Sequence, residues 1–106
     1  MNKKLTFEST DALKTLGANL ALARKRRGWR QTDLKERTGL SRATIQKIEA
    51  GDPGVSFGNY MLLIAIYGGV DSIKNTCHPE DDSVAYDHVY PDIERVRAKR
   101  ILDNDF

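Results

Sequence analysis

Apolar residues recur at helical spacing through the N-terminal part of the chain. A first helix is predicted to begin at Thr10–Asp11, either of which can act as its N-cap, and to end at Gly28. One face of this helix carries Leu13, Leu16, Leu20 and Ala23. The polar residues 1–10, which precede it, are predicted to form an N-terminal arm.

Two short helices joined by a tight turn follow. The pattern predicts a second helix over residues 31–38, a turn at Gly39 with positive φ, and a third helix that Ser41 caps and that runs through Glu49. The apolar positions of this stretch face each other and the core, and they are Leu34, Leu40, Ile45 and Ile48. This arrangement is a helix-turn-helix, whose second helix can enter the major groove of DNA.

The pattern becomes less decisive toward the C-terminus. Ser56 opens a strongly apolar fourth helix that Gly68 stops, and residues 70–77 fit either a fifth short helix or a strand. Residues 79–94 are rich in Asp and Glu and contain no Lys or Arg, and a terminal helix is predicted to open at Pro91. The predicted fold class is therefore all-α, with a short C-terminal extension.

The charges are unevenly distributed, although the formal net charge is only +2. Residues 1–54 hold 12 Lys/Arg and 6 Asp/Glu, whereas residues 55–106 hold 5 Lys/Arg and 9 Asp/Glu. A basic half carrying a helix-turn-helix is typical of a polyanion-binding surface. The acidic half should face solvent or a protein partner.

Composition excludes several other classes of protein. The single cysteine, Cys77, cannot form an internal disulfide, and no metal-ligand spacing occurs, so we expect neither a metal nor another cofactor. No apolar run approaches the roughly 20 residues that span a bilayer, and no signal peptide is evident. These features favour a cytoplasmic protein without a membrane partner.

Residues 12–67 resemble the Cro/phage-repressor type of helix-turn-helix regulator, the XRE family. The resemblance is carried by Arg24, Gly28, Gln31, Leu34, Gly39, Leu40, Ser41, Ile45, Ile48, Glu49 and Gly51. It implies a five-helix, lambda-repressor-like domain in which the third helix reads DNA. It also implies a structural ion pair between Arg24 and Glu49, across helices 1 and 3.

The same resemblance implies which side chains meet DNA. Base reading falls to four residues of the third helix, namely Arg42, Ala43, Gln46 and Lys47, although Lys47 could instead meet a phosphate. Arg can bond bidentately to guanine and Gln to adenine, and Ala can contact a thymine methyl. The candidates for the DNA backbone are Gln31, Arg30, Thr44, Arg26 and Arg27. For each, the alternative is an ordinary solvated side chain.

Two residues depart from the family pattern. Lys35 stands where the family usually has a small residue, so its side chain must extend toward solvent. Thr38 replaces a usual aliphatic residue. Both changes weaken the fit without breaking it.

One recognition helix buries little surface, so we expect a homodimer on a palindromic operator. The predicted domains are an arm over residues 1–10, a DNA-binding domain with a dimerisation element over 11–77, and an acidic extension over 78–106. The apolar surface of helix 4 and residues 70–77 form the candidate interface. Alternatively, they complete the core of the monomer.

The length, architecture and basic tail also resemble HipB-like antitoxins, which accompany HipA-type kinase toxins. This resemblance implies a repressor of its own operon that also restrains a toxin kinase. A stand-alone phage- or plasmid-type regulator, or an interaction module that does not bind DNA, remain alternatives. Catalysis is not expected, because adjacent Cys77 and His78 have no third orienting group, and Asp81–Asp82 are typical of a solvated loop.

Overall fold

The computed structural model describes residues 4–80, which contain five α-helices and no strand. The helices are α1 (Phe7–Arg26), α2 (Gln31–Thr38), α3 (Arg42–Glu49), α4 (Phe57–Ile66) and α5 (Val70–Lys74). The chain divides into one compact unit that ends at Val70 and a second that begins at Asp71. The predicted all-α fold class is confirmed.

Helix α1 begins earlier than the sequence predicted. Its N-cap is Thr6, whose side-chain hydroxyl accepts a 3.0 Å hydrogen bond from the backbone amide of Ser9. The prediction of a cap at Thr10–Asp11 was therefore wrong, and residues 7–10 of the predicted arm are helical. The first turn carries no buried apolar residue, since Phe7 is 86% exposed, so hydrophobic spacing could not reveal it.

Local signals define α2, α3 and α4 as predicted. Gly39 closes α2 with φ of 77°, a left-handed conformation that glycine adopts without strain. Ser41 and Ser56 cap α3 and α4, each accepting a 3.2 Å hydrogen bond from the backbone amide three residues ahead. Residues 70–77, which fitted either a helix or a strand, form the short helix α5 followed by a turn.

The core of the first unit draws side chains from all four of its full helices. The buried apolar side chains are Leu20, Leu34, Ile45, Ile48, Tyr60, Leu63 and Ile64. Leu40, which was also predicted to face the core, is only partly buried. The Tyr60 hydroxyl reaches the loop before α4 and donates a 2.7 Å hydrogen bond to the Asp52 carbonyl. Together these residues hold α2 and α3 in a fixed relation to α1.

The structure shows how the helix-turn-helix accommodates Lys35 and Thr38, the two residues that depart from the family pattern. Lys35 is exposed, as its polar character requires. The Thr38 hydroxyl donates to the Leu34 carbonyl at 2.7 Å and accepts from the Leu40 amide at 3.1 Å. Thr38 thus satisfies two backbone groups at the end of α2, which an aliphatic residue could not do. The predicted terminal helix at Pro91 and most of the acidic segment lie outside the described residues.

Candidate nucleic-acid interface

Helix α3 has two faces with opposite character. Ile45 and Ile48 are completely buried, which fixes how the helix is rotated about its axis. The four predicted base-reading residues all lie on the exposed side, namely Arg42, Ala43, Gln46 and Lys47. The packing of α3 therefore presents these four side chains to solvent as one group.

The start of α3 is held by a hydrogen-bonded cap. The Ser41 side chain accepts from the Thr44 amide, and the hydroxyls of Ser41 and Thr44 are hydrogen-bonded at 3.0 Å. Thr44 was predicted to contact the DNA backbone, and its hydroxyl belongs to this cap in the free protein. The cap fixes the first turn of α3, where Arg42 and Ala43 lie.

Arg24 and Glu49 form an ion pair between α1 and α3. Arg24 Nε donates to Glu49 Oε2 at 2.8 Å, and Arg24 Nη2 donates to Glu49 Oε1 at 3.1 Å. The side chains are 12% and 8% exposed, and the hydrogen bonds to Glu49 raise the pKa of Arg24 against the opposing effect of burial. Arg24 Nη1 also donates to the Trp29 carbonyl at 3.0 Å. The pair thereby fixes the loop that leads into α2.

Gln31, the first residue of α2, lies between this ion pair and the exposed face of α3. Its Nε2 donates to Glu49 Oε1 at 3.1 Å. Its Oε1 accepts from Arg42 Nε and from Gln46 Nε2, both at 3.4 Å. The side chain predicted to meet a phosphate is thus bonded to protein groups on both sides of its amide.

A cationic cavity of about 380 Å³ opens at the N-terminus of α2. It is lined by Arg24, Arg30, Gln31, Thr32 and Arg42. A helix N-terminus attracts anions through its free amide groups, and the arginines add positive charge. The amide of the N-cap residue Arg30 is already satisfied, because the Asp33 carboxylate accepts from it at 2.7 Å. The cavity can receive a phosphate group beside the exposed face of α3.

A family model described as a helix-turn-helix domain matches residues 15–71. This chain belongs to the helix-turn-helix domain family. No curated protein and no solved structure matches it. Helix-turn-helix domains place their second helix in the major groove, and the match therefore supports DNA binding by this chain.

The basic residues at the end of α1 and in the loop that follows it differ in the protein contacts that they make. Arg26 and Arg30 are exposed, and within residues 4–80 neither side chain forms an ion pair or a cation–π contact. Arg27 is engaged, since its Nη1 donates to the Ala23 carbonyl at 3.0 Å and its guanidinium carbon lies 4.9 Å from the centre of the Tyr67 ring. Arg26 and Arg30 are therefore better placed than Arg27 for a phosphate.

Sequence reasoning missed an aromatic cluster of the helix-turn-helix domain. The rings of Trp29 and Tyr67 are stacked with centroids 6.2 Å apart, and Arg37 lies 4.1 Å from the Trp29 centroid. The Tyr67 hydroxyl is buried without a hydrogen-bond partner among residues 4–80, and burial raises its pKa. The only sequence signal was a lone tryptophan within the basic run, between Gly28 and Arg30.

Sequence reasoning also overlooked Thr32, which lines the cationic cavity as the second residue of α2. Its position at a helix N-terminus beside arginines was the available signal.

Within residues 4–80, no helix is long and apolar enough to cross a membrane. The same residues contain no group of three or more His, Cys, Asp or Glu side chains that could hold a metal ion.

Proposed function

We propose that this helix-turn-helix protein is a sequence-specific transcriptional repressor of the Cro/phage-repressor type. The observation that carries the proposal is the orientation of α3, which buries Ile45 and Ile48 and exposes Arg42 and Gln46 beside a cationic cavity. Side chains that match the donor and acceptor pattern of bases are exposed, and positive charge lies next to them. Repression follows when the bound protein occludes a promoter.

The contacts divide into two classes. Arg42, Ala43, Gln46 and Lys47 read base edges in the major groove. Phosphates are bound by Arg26, Arg30 and the amide groups that open α2, while Arg27, Gln31 and Thr44 make their backbone contacts only if their present hydrogen bonds rearrange. The two classes differ in their salt dependence and in their dependence on sequence, so they can be separated by experiment.

The repressor binds a palindromic operator as a homodimer. A single recognition helix buries too little surface for tight specific binding, and a two-fold dimer presents two such helices to adjacent turns of the major groove. Phe57 and Leu62 of α4 are 54% and 42% exposed, and an interface would cover them. Light scattering should give about twice the chain mass of 11.9 kDa, and a monomer on DNA would contradict this.

A HipB-like antitoxin is the finer version of this proposal. It rests on the order of a helix-turn-helix domain, an acidic segment that a basic partner could bind and a basic stretch over residues 94–100. A HipA-like kinase encoded by the neighbouring gene, which co-purifies with the repressor, would support it. Without such a partner, the protein is a stand-alone phage- or plasmid-type regulator.

The test of the proposed function begins with selection of duplex DNA from a random library by the full chain. A palindromic consensus sequence should emerge. The logarithm of the binding constant for this sequence should fall linearly with the logarithm of the salt concentration, with a slope of about −0.9 per neutralised phosphate. Arg30→Ala should weaken binding to the consensus and to random DNA equally and reduce that slope by about one. A library that yields no consensus would overturn the proposal and favour an interaction module that does not bind DNA.

A further inference from the structure

We propose that two copies of this chain associate through the start of α1, with Phe7 of each copy inserted into an apolar cavity of the other. The apolar cavity has a volume of about 250 Å³, and it is lined by Leu5, Leu13, Pro53, Val55, Phe57 and Tyr60. This inference rests on the proposed function, because it assigns the surface through which the homodimer forms. Each copy completes the apolar cavity of its partner.

Phe7 is an apolar side chain that its own copy leaves uncovered. It is 86% exposed, the highest value among the large hydrophobic residues within 4–80. Its backbone is nevertheless fixed, because the Thr6 hydroxyl accepts from the Ser9 amide at 3.0 Å and donates to the Ser9 hydroxyl at 2.9 Å. A side chain that projects from a capped helical turn loses little backbone freedom when a partner covers it.

The apolar cavity opens close to Phe7 and is also preformed. Leu5, two residues before Phe7, belongs to its lining. The loop between α3 and α4 supplies another part of the wall, and two hydrogen bonds fix this loop. The Tyr60 hydroxyl donates to the Asp52 carbonyl at 2.7 Å, and the Asp52 carboxylate accepts from the Gly54 amide at 2.7 Å. Both halves of the contact therefore exist before association.

The size and chemistry of the apolar cavity match a phenyl ring. An apolar protein cavity of about 150 Å³ accommodates benzene, so a volume of about 250 Å³ accommodates the ring of Phe7 with its β-carbon. The side chains of Leu13, Val55 and Phe57 consist of carbon and hydrogen alone. The Tyr60 hydroxyl is already bonded to a backbone carbonyl. The apolar cavity thus offers apolar contacts rather than hydrogen bonds to its occupant.

The neighbouring positions of Phe7 and the apolar cavity favour a second copy as the occupant. A projecting side chain beside a cavity is self-complementary under two-fold rotation, because one insertion generates the other. The exposed residues around this part of α1 carry both signs of charge, namely Lys4, Glu8, Asp11 and Lys14. Two copies can therefore place a lysine of one opposite a carboxylate of the other, whereas a mixed rim gives a polyanion no such match.

The covered area is suited to a weak dimer that leaves the DNA-reading face open. A buried phenylalanine removes about 150–250 Å² from water, whereas a standard interface covers about 800 Å² per partner. The two insertions therefore supply the apolar centre of the interface, and we expect a Kd of about micromolar magnitude. No residue of α3 lines the apolar cavity, so Arg42 and Gln46 stay accessible in the dimer.

Sedimentation equilibrium of the full chain without DNA provides the first test. Phe7→Ala should raise the dimer Kd at least about tenfold, because it removes the inserted ring. Its melting temperature in dilute solution should match the wild type, since Phe7 is exposed in the monomer. Leu22→Ala is the matched control, because Leu22 is a 47% exposed residue of the same helix outside the apolar cavity. Equal dimerisation of wild type and Phe7→Ala, or a wild type that stays monomeric, would overturn the proposal.

A mixing experiment separates reciprocal insertion from a general loss of apolar surface. Val55→Trp fills the apolar cavity and keeps Phe7, whereas Phe7→Ala keeps the apolar cavity and lacks the ring. Each variant alone should dimerise poorly. An equimolar mixture should form a mixed dimer that is tighter than either variant dimer, because one Phe7 still meets one open cavity. A mixture that associates no better than its components would contradict reciprocal insertion.

Nuclear magnetic resonance of the wild type locates the contact directly. In an equal mixture of ¹³C-labelled and unlabelled chains, isotope-filtered spectra should show contacts between the Phe7 ring and the Val55 methyl groups. A dimer without these contacts would place the interface elsewhere and overturn the proposal. Because no DNA is used, a dimer with these contacts that selects no DNA sequence would overturn only the proposed function. A monomer that reads a single half-site would overturn only this inference about assembly.

Discussion

Gly17 of α1 and Gly51, which follows α3, are in direct backbone contact. A β-carbon on Gly17 would lie 2.7 Å from the Gly51 nitrogen and 2.5 Å from the Ile48 carbonyl oxygen. A β-carbon on Gly51 would lie 2.6 Å from the Leu13 carbonyl oxygen, and Gly51 also has φ of 75°. Helix α3 is thus held against α1 at a distance that only glycine permits.

Gly17→Ala should destabilise the fold although alanine is the better helix former. Helix propensity favours alanine by about 0.5–1 kcal/mol, but the clash with rigid backbone should cost about 3 kcal/mol. Urea unfolding measures the difference in the free energy of unfolding between Gly17→Ala and the wild type. Gly28→Ala is the control, because a β-carbon on Gly28 would meet no other atom within 4 Å, so that only its φ of 70° opposes substitution. This substitution should cost about 1–2 kcal/mol. A Gly17→Ala variant as stable as the wild type would contradict this packing.

Removing one partner of the Arg24–Glu49 pair should destabilise the protein strongly. Glu49→Ala leaves the largely buried guanidinium of Arg24 without its carboxylate, and such losses amount to about 3–5 kcal/mol. Replacing both residues with apolar ones, as in Arg24→Met with Glu49→Leu, should recover much of this loss. Calorimetric melting of the single and double variants measures both the loss of stability and its recovery. A double variant as unstable as Glu49→Ala would contradict the account.

The cation–π contact of Arg37 with Trp29 should contribute modestly to stability. Arg37→Ala should lower the free energy of unfolding by about 0.5–1 kcal/mol, and it should alter the fluorescence of the single tryptophan. Arg26→Ala serves as the matched control, because Arg26 is exposed and makes no such ring contact. Identical fluorescence in wild type and Arg37→Ala would show that the contact is not formed in solution.

Stability should decline at alkaline pH because of two tyrosines. Burial raises the pKa of both Tyr60 and Tyr67 in the folded protein. The protonated tyrosines contribute their full stability at pH values below the unfolded-state pKa of about 10. This contribution to the free energy of unfolding is lost as the pH rises through the higher folded-state pKa values. Thermal melts between about pH 9 and about pH 11 measure the decline.

Tyr67→Phe isolates one of these two groups. Its hydroxyl is buried without a hydrogen-bond partner among the described residues, so the variant should be at least as stable as the wild type at neutral pH. It should also lose less stability on alkaline titration. An equal alkaline loss in both proteins would assign the decline to other groups.

The sequence predicted the middle of the fold well because local signals are strong there. Gly39 and the serine caps Ser41 and Ser56 fix helix ends through interactions within four residues, and apolar spacing identifies Ile45 as core. The start of α1 was mispredicted because Thr6 caps a turn that buries no apolar side chain, so spacing carried no information about it.

The site was predictable only in part. Helical spacing and the family resemblance indicate that Arg42 and Gln46 are exposed, since Ile45 and Ile48 must be buried. The position of Gln31 between Glu49 and Arg42 depends on side-chain conformations on two helices, α2 and α3, which no sequence pattern encodes. The stacking of Trp29 on Tyr67 is likewise a contact between residues 38 positions apart in the chain.

The most direct test of DNA reading by α3 is a pair of binding titrations with Arg42→Ala. One uses the selected operator and the other a random duplex of equal length at the same salt concentration. We expect Kd for the operator to rise by about 5- to 150-fold, equivalent to about 1–3 kcal/mol, with little change on random DNA. Equal weakening on both duplexes would contradict the assignment of Arg42 as a base-reading residue and of α3 as the recognition helix.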